Sequence, residues 1–571
     1  MAVGRDNPCP CGSGRKFKRC CIGAASSKPV TLNAGLLQAA QARHDHDAAA
    51  ALLDRVARTM AARIAAAGNS VLDHETRGFL ADNPECLFYF LEGFLRAANS
   101  GHGVEEAEQL ADAYCFLIEL QLSMLHRSLD SGNSWARQIR DDFEARIVQA
   151  IREGAVSAEW VLAIAEIFRK QKIHPGPELE LLFLEACEQA AGTSEPPDPI
   201  SLCAEIAARC DNNPFLVSDV LYSSMRSAGP VSSELVGALF AAAPGSVKEG
   251  IALGVLDSDS QVRTAVANAL VRAADAVTPN TLRRLIAVRR WLPEAEREPL
   301  DQAVRAARLA GVECAQWQSS GAAVVEMRVS SPDGAGAQMA MVVSSDGGGY
   351  RLSGILFKSG AGIADAWTSD PQSMRDIKEL LGERSSDVHL LRASRRYLDL
   401  MVGYYLKDAL KNAEPPPARL LELAEYLQAS NWQPVEPGWQ ELLADLVKEV
   451  PYQLLASSSV NSILATSAKW GMKRKWAQSW AEGGDAVEDL LSRLEGRADR
   501  VVYEEIIERV LEKRRDVWAE RFTLTALWMK EAPKCSLPWE NFAILAHKMV
   551  EGLPLRNLPL MHKIAEATAF M

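Results

Sequence analysis

The chain of 571 residues has no run of about 18 uncharged apolar residues, so a membrane-spanning helix is not expected. Its first residues, MAVGRDNPCPCGSGRKFKRCC, lack the apolar stretch of a secretory signal peptide. No C-x-x-C occurs, which argues against thioredoxin-like redox chemistry. G-x-x-x-x-G-K-[ST], H-E-x-x-H and G-x-S-x-G are also absent, so no phosphate loop, zinc-protease helix or nucleophile elbow is announced. Aromatic residues make up only 7%, but hydrophobic residues reach 48%, ample for a large core. At about 150 residues per domain, the length corresponds to about four domain-sized units.

Acidic residues outnumber basic ones over most of the chain. The net charge is −12, yet residues 1–28 hold Arg5, Arg15, Lys16, Lys18, Arg19 and Lys28 against Asp6. A basic head of +5 therefore precedes a body of −17. An acidic body disfavours duplex nucleic acid as a main partner, because phosphate binding needs cations over a wide face.

Of the 11 cysteines, four fall in the head: Cys9, Cys11, Cys20 and Cys21. The other seven sit mostly in apolar, helical-looking surroundings, a reduced, cytoplasmic pattern of free thiols. In NPCPCGSGRKFKRCC, Pro8 and Pro10 extend the first arm, and Gly12-Ser13-Gly14 turns the chain back toward the second cysteine pair. Four thiolates would converge on one point, where Zn²⁺ accepts them tetrahedrally and offsets their mutual repulsion. So short a segment has almost no core, and the ion would supply its folding energy. Another metal, a redox-sensing thiol cluster and a plain reactive tail are the alternatives.

This stretch resembles the SEC-C motif, which closes the tail of the SecA translocation ATPase and recurs in many bacterial proteins. The resemblance covers about 15 residues. It implies that Cys9, Cys11, Cys20 and Cys21 are the metal ligands, that Gly12 and Gly14 make the turn, and that Phe17 is the aromatic position. Because the SecA element docks a chaperone and the ribosome, the resemblance also implies a protein-docking tip.

Domain organisation follows from pattern and punctuation. Residues 1–27 are expected to form the zinc knuckle, 28–35 a linker, and 36–191 a helical domain whose apolar residues return every three or four positions. The Pro-rich GTSEPPDP at 192–199 is a joint. In 200–317, EGIALGVLDSDSQVRTAVANALVRAA predicts a turn at 257–260. A helix follows with Val262, Ala265, Val266, Ala269 and Leu270 on one side. This stretch resembles a HEAT repeat, which implies a stacked helical superhelix. Residues 318–368 predict a three-stranded antiparallel β meander, with 360–367 as the loop after its last strand. Residues 369–412 are expected to be helical. Residues 418–571 form a helical domain holding eight of the 13 tryptophans, expected chiefly in its core. The fold class is thus mainly α.

Three functions fit these features. The favoured one is a zinc-binding adaptor whose tip recruits a protein partner, such as a chaperone or a ribosome component. The second is an enzyme with a polar site where the meander meets the helices. The third is an RNA- or ribosome-associated factor using Lys469 to Trp476 or the basic head. No catalytic residue is assigned, and His44-Asp45-His46-Asp47 reads as a solvated polar turn.

Overall fold

The computed structural model describes residues 46–570, apart from 68–71, 73, 100–104, 131–132, 172, 193–198, 228–232, 318–321, 346, 388–389, 471–478 and 532–536. The zinc knuckle and its linker lie outside the described residues. The chain divides into two compact units, Met1–Pro196 and Pro197–Met571.

Seven helices make up the described part of the first unit: α1 (His46–Ala67), α2 (His74–Asp82), α3 (Cys86–Ala98), α4 (Glu105–Asp130), α5 (Ser134–Arg152), α6 (Ala158–Lys170) and α7 (Pro177–Gly192). Their three-and-four spacing gives each an apolar stripe, and the stripes meet in a core containing Met60, Phe90, Phe94, Leu117, Phe143 and Phe168. Gly93 on α3 leaves room for the Tyr114 ring on α4. The Tyr114 hydroxyl then donates to Asp54 Oδ1 on α1 at 2.5 Å, tying three helices together.

The second unit opens with α8 (Pro199–Arg209), α9 (Pro214–Ser227), α10 (Ser233–Ala242), α11 (Gly245–Ala252), α12 (Ser260–Arg272), α13 (Pro279–Val288) and α14 (Arg297–Leu309). Helices two apart in sequence pack together: α9 on α11, α10 on α12, α12 on α14. Two layers of helices result. Asp259 caps α12 by accepting from the Gln261 N–H at 2.7 Å, as the turn at 257–260 predicts. The expected face of α12, Val262 to Leu270, is buried.

The sheet corrects the expected meander. It has five antiparallel strands, not three: β1 (Ala323–Ser330), β2 (Ala337–Ser345), β3 (Tyr350–Lys358), β4 (Gly362–Thr368) and β5 (Leu390–Arg392), in the order β4-β3-β2-β1-β5. Residues 360–367 are therefore a turn and a strand, not a loop. Gly360 and Gly362, both at φ +80°, make the reversal. A Cβ on Gly362 would meet Ala409 at 2.5 Å. β5 lies within the segment expected to be wholly helical, and its three residues pair with Arg328, Val329 and Ser330.

Alternation along β2 covers both faces of the sheet. Ala340 and Val342 join the main core, whereas Met341 and Val343 pack with Ile377 and Leu381 of α15 (Met374–Asp387). Next come α16 (Arg395–Lys411), α17 (Ala418–Tyr426), α18 (Trp439–Glu449), α19 (Ser457–Ala465), α20 (Asp485–Arg493) and α21 (Asp499–Ile506). The unit ends with α22 (Arg515–Glu531), α23 (Trp539–Val550) and α24 (Pro559–Ala569). One continuous core runs from the helical layers through the sheet to α24.

Tryptophans fasten these parts. Trp432, Trp470, Trp480, Trp518 and Trp528 are buried. The indole N–H of Trp528 on α22 donates to the Val329 carbonyl at 3.0 Å and that of Trp480, in the stretch before α20, to the Pro332 carbonyl at 3.1 Å, so the C-terminal part of the chain grips the end of β1 and the turn after it. At the β1–β2 turn, the Gly334 N–H donates to Ser479 Oγ at 3.2 Å, and a Cβ there would overlap the Ser479 carbonyl. Gly334→Ala is expected to force the turn off this contact and destabilise the unit by about 1–3 kcal/mol, read as a lower denaturation midpoint.

Candidate functional site

The predicted metal ligands Cys9, Cys11, Cys20 and Cys21 lie outside the described residues, as do His44, His102, His389 and Lys473 to Trp476. Among the described residues, no group of three or more His, Cys, Asp or Glu is placed to hold a metal ion. His46 and His74 instead open α1 and α2. Cys86, Cys115, Cys203, Cys210 and Cys314 form no disulfide; Cys86, Cys203 and Cys210 are buried and Cys314 is exposed. Burial pushes the Cys86 and Cys115 thiols up to about 12, which removes them as nucleophiles at neutral pH. Of the basic–aromatic patch, Trp470 is 3% exposed, with its ring centroid 5.1 Å from that of Phe542. It is a core residue, not a stacking platform for bases.

Two polar constellations stand out in the second unit, and neither was legible from residue spacing. The first ties the helical layers to α17. Adjacent Arg283 and Arg284 on α13 both turn inward. Arg284 clamps Glu425 on α17 with two bonds, Nε to Oε1 at 2.8 Å and Nη2 to Oε2 at 2.9 Å. Its Nη1 donates to Glu249 on α11 at 2.8 Å. Arg283 reaches the same Glu425 Oε1 at 2.6 Å and the Gln316 carbonyl at 3.1 Å. Aromatic rings cover both guanidiniums: Trp317 at 5.4 Å from Arg283 and Phe215 at 4.8 Å from Arg284. Burial alone would pull Arg284 down, but Glu425 and Glu249 outweigh it and raise its pKa. Close by, Arg263 holds Glu296 in a similar fork and donates to the carbonyls of Asp257 and Ser258 at 2.7 and 2.8 Å. These are fastenings within the fold.

The second constellation lies in the seam between the sheet and the helices, the place where the sequence suggested an enzymatic site. On α16, the Tyr404 hydroxyl donates to Glu520 Oε1 of α22 at 2.6 Å. The buried Asp408 accepts from the Gly360 N–H at 2.6 Å and from Lys411 at 2.9 Å. Arg521 lies over the Trp518 ring, 4.6 Å from its centroid. Glu482 accepts from the Trp518 indole at 2.7 Å and from Arg514 at 3.0 Å, with Arg521 3.7 Å away. Burial pulls Arg521 below the usual guanidinium range, with Arg514 pushing the same way and Glu482 opposing. Burial and Asp408 raise Glu520, against the Tyr404 hydrogen bond that lowers it. The seam therefore holds the buried Asp408, Glu482 and Arg521, with the half-buried Glu520 and the exposed Arg514 beside them.

Three segments are similar to known families. Residues 7–22, which contain all four head cysteines, match the SEC-C motif. Residues 230–311, across the layers from α10 to α14, match the Y4lR second domain. Residues 440–571, from α18 to α24, match the Y4lR C-terminal helical domain. No curated protein matches the chain, and no solved structure does. No helix among the described residues is long and apolar enough to cross a membrane.

Proposed function

We propose that the protein is a zinc-dependent, cytoplasmic adaptor, with a metal-held docking tip at residues 1–27 carried on a large helical scaffold. The observation that carries this reading is the SEC-C match over residues 7–22. The donor set supports it: four cysteines and no other ligating side chain in residues 7–22, a soft all-sulfur set that suits Zn²⁺. Cys9, Cys11, Cys20 and Cys21 would hold the ion, and Arg15, Lys16, Lys18 and Arg19 favour their thiolate forms. Bound zinc supplies folding energy to the tip.

Four thiolates around one Zn²⁺ lower the +5 of residues 1–28 to about +3, which still selects a partner with an acidic docking surface, and attraction between the two speeds their encounter. A chaperone or a ribosome component is the kind of partner this reading names. The packing of helices two apart in α9–α14 supports reading that region as a HEAT-like array.

Partner capture tests the reading. Intact protein and Cys20→Ser, each tagged at the C-terminus, are compared for the proteins they retain. We expect a specific partner to be recovered at least about tenfold less by Cys20→Ser, while the denaturation midpoint of the body stays the same. Equal recovery of every partner by the two proteins would remove the docking tip from the account.

A further inference from the structure

The geometry points to a second device, independent of the metal tip. We propose that Glu520 is a proton-operated latch between α16 and α22, closing their seam when its carboxyl is protonated and loosening it when ionised. The argument starts from the groups that face it. Tyr404 of α16 bonds Glu520 directly, and Asp408 and Lys411 of α16 and Arg521 of its own helix are the charges that act on it. Lys411 is bound to Asp408, whereas Arg521 lies over the Trp518 ring with Glu482 3.7 Å away, its Nε and Nη1 without a hydrogen-bond partner. Asp408 is itself a buried carboxylate, fixed by the Gly360 N–H of the β3–β4 turn. A second negative charge on Glu520 therefore has one close donor, the Tyr404 hydroxyl at 2.6 Å.

Of the charges on the other helices packed on α22, Glu449 of α18 binds Lys530 near the far end of α22, Lys448 binds Asp445 within α18, and His547 and Lys548 of α23 bind Glu551, so none of these pairs includes Glu520. Burial and Asp408 raise the Glu520 carboxyl, so the folded state binds its proton more tightly than the unfolded chain. The resulting stability is fully present below the unfolded pKa of about 4.3 and is lost as pH rises through the folded value. The protonated carboxyl still accepts from Tyr404 through its carbonyl oxygen, so closing the latch sacrifices no contact.

Hydrogen exchange on the full chain tests this, corrected for intrinsic rates, between pH 5 and 8. Amides of α16 and α22 are expected to lose about threefold or more of their protection as pH rises, while those of α9–α14 change less. Glu520→Gln, which keeps a carbonyl acceptor for Tyr404, is expected to hold high protection at both ends of the range. His547→Gln is expected to keep the wild-type slope. Should Glu520→Gln fail to fold, Tyr404→Phe takes its place and is expected to steepen the slope, because the ionised form then loses its donor. Protection in α16 and α22 that does not change with pH would overturn the proposal. So would a Glu520→Gln slope equal to wild type, or an equal slope across the whole unit.

Discussion

Replacing Glu425 with alanine is expected to destabilise the unit spanning residues 197–571 by about 3–5 kcal/mol, the cost of breaking a buried ion pair from one side. The size follows from what is stranded. Glu425 receives three hydrogen bonds from Arg283 and Arg284, whose side chains are 9% and 10% exposed. Without it, Arg284 keeps Glu249 and the Phe215 ring, and Arg283 keeps only the Gln316 carbonyl and the Trp317 ring. Two guanidiniums cannot regain water without prising α13 from α17. Removing the three charges together should cost far less: Arg283→Met, Arg284→Met and Glu425→Met combined are expected to fall within about 2 kcal/mol of wild type, because no guanidinium is left stranded and Glu249 keeps the Thr278 hydroxyl and the Asn280 amide as donors. Urea denaturation of the single and triple variants measures both.

The other large effect is expected at Trp518. Trp518→Ala should cost about 3–5 kcal/mol through the cavity it leaves. This indole is fully buried, with ring centroids 6.2 Å from Trp480 and 5.8 Å from Phe522, beneath the Arg521 guanidinium. Its N–H is also one of the two close donors to Glu482. Trp518→Phe separates the two roles. It keeps most of the volume but removes the donor, so its loss should be about 1–3 kcal/mol, the cost of a weakened buried hydrogen bond to a charge. Equal losses for the two variants would mean that the hydrogen bond, not packing, sets the value of this site.

Both predictions concern features that a linear reading passes over, and the reason is physical. The apolar face of α12 and its Asp259 cap were legible because each depends on residues within a turn or two of one another. The burial of Trp432, Trp480, Trp518 and Trp528 was legible for a similar reason, since large indoles within helical periodicity belong in cores. Strands β1 to β3 announced themselves through β-branched runs and glycine turns. β4 did not, because GAGIADAW begins with the very glycines that its tight reversal and its contact with Ala409 require. β5 has three residues, too few to show alternation, and exists because β1 offers it an edge. The Arg284–Glu425 clamp joins residues 141 positions apart, and the Tyr404–Glu520 bond joins residues 116 apart. No spacing rule reaches that far. An arginine pair in an amphipathic helix with both members facing inward was the one available hint. In the head the situation is reversed: four cysteines, two prolines and two glycines fall between residues 8 and 21, so a local pattern alone raises the expectation of a metal site there.

The most direct test of the account is the metal content of the purified full-length protein, measured by native mass spectrometry alongside thiol alkylation under reducing, non-denaturing conditions. The account predicts one tightly held zinc per chain, protection of Cys9, Cys11, Cys20 and Cys21 from alkylation, and loss of both in Cys20→Ser. Intact protein that carries no metal, with those four cysteines alkylated as readily as the exposed Cys314, would contradict it.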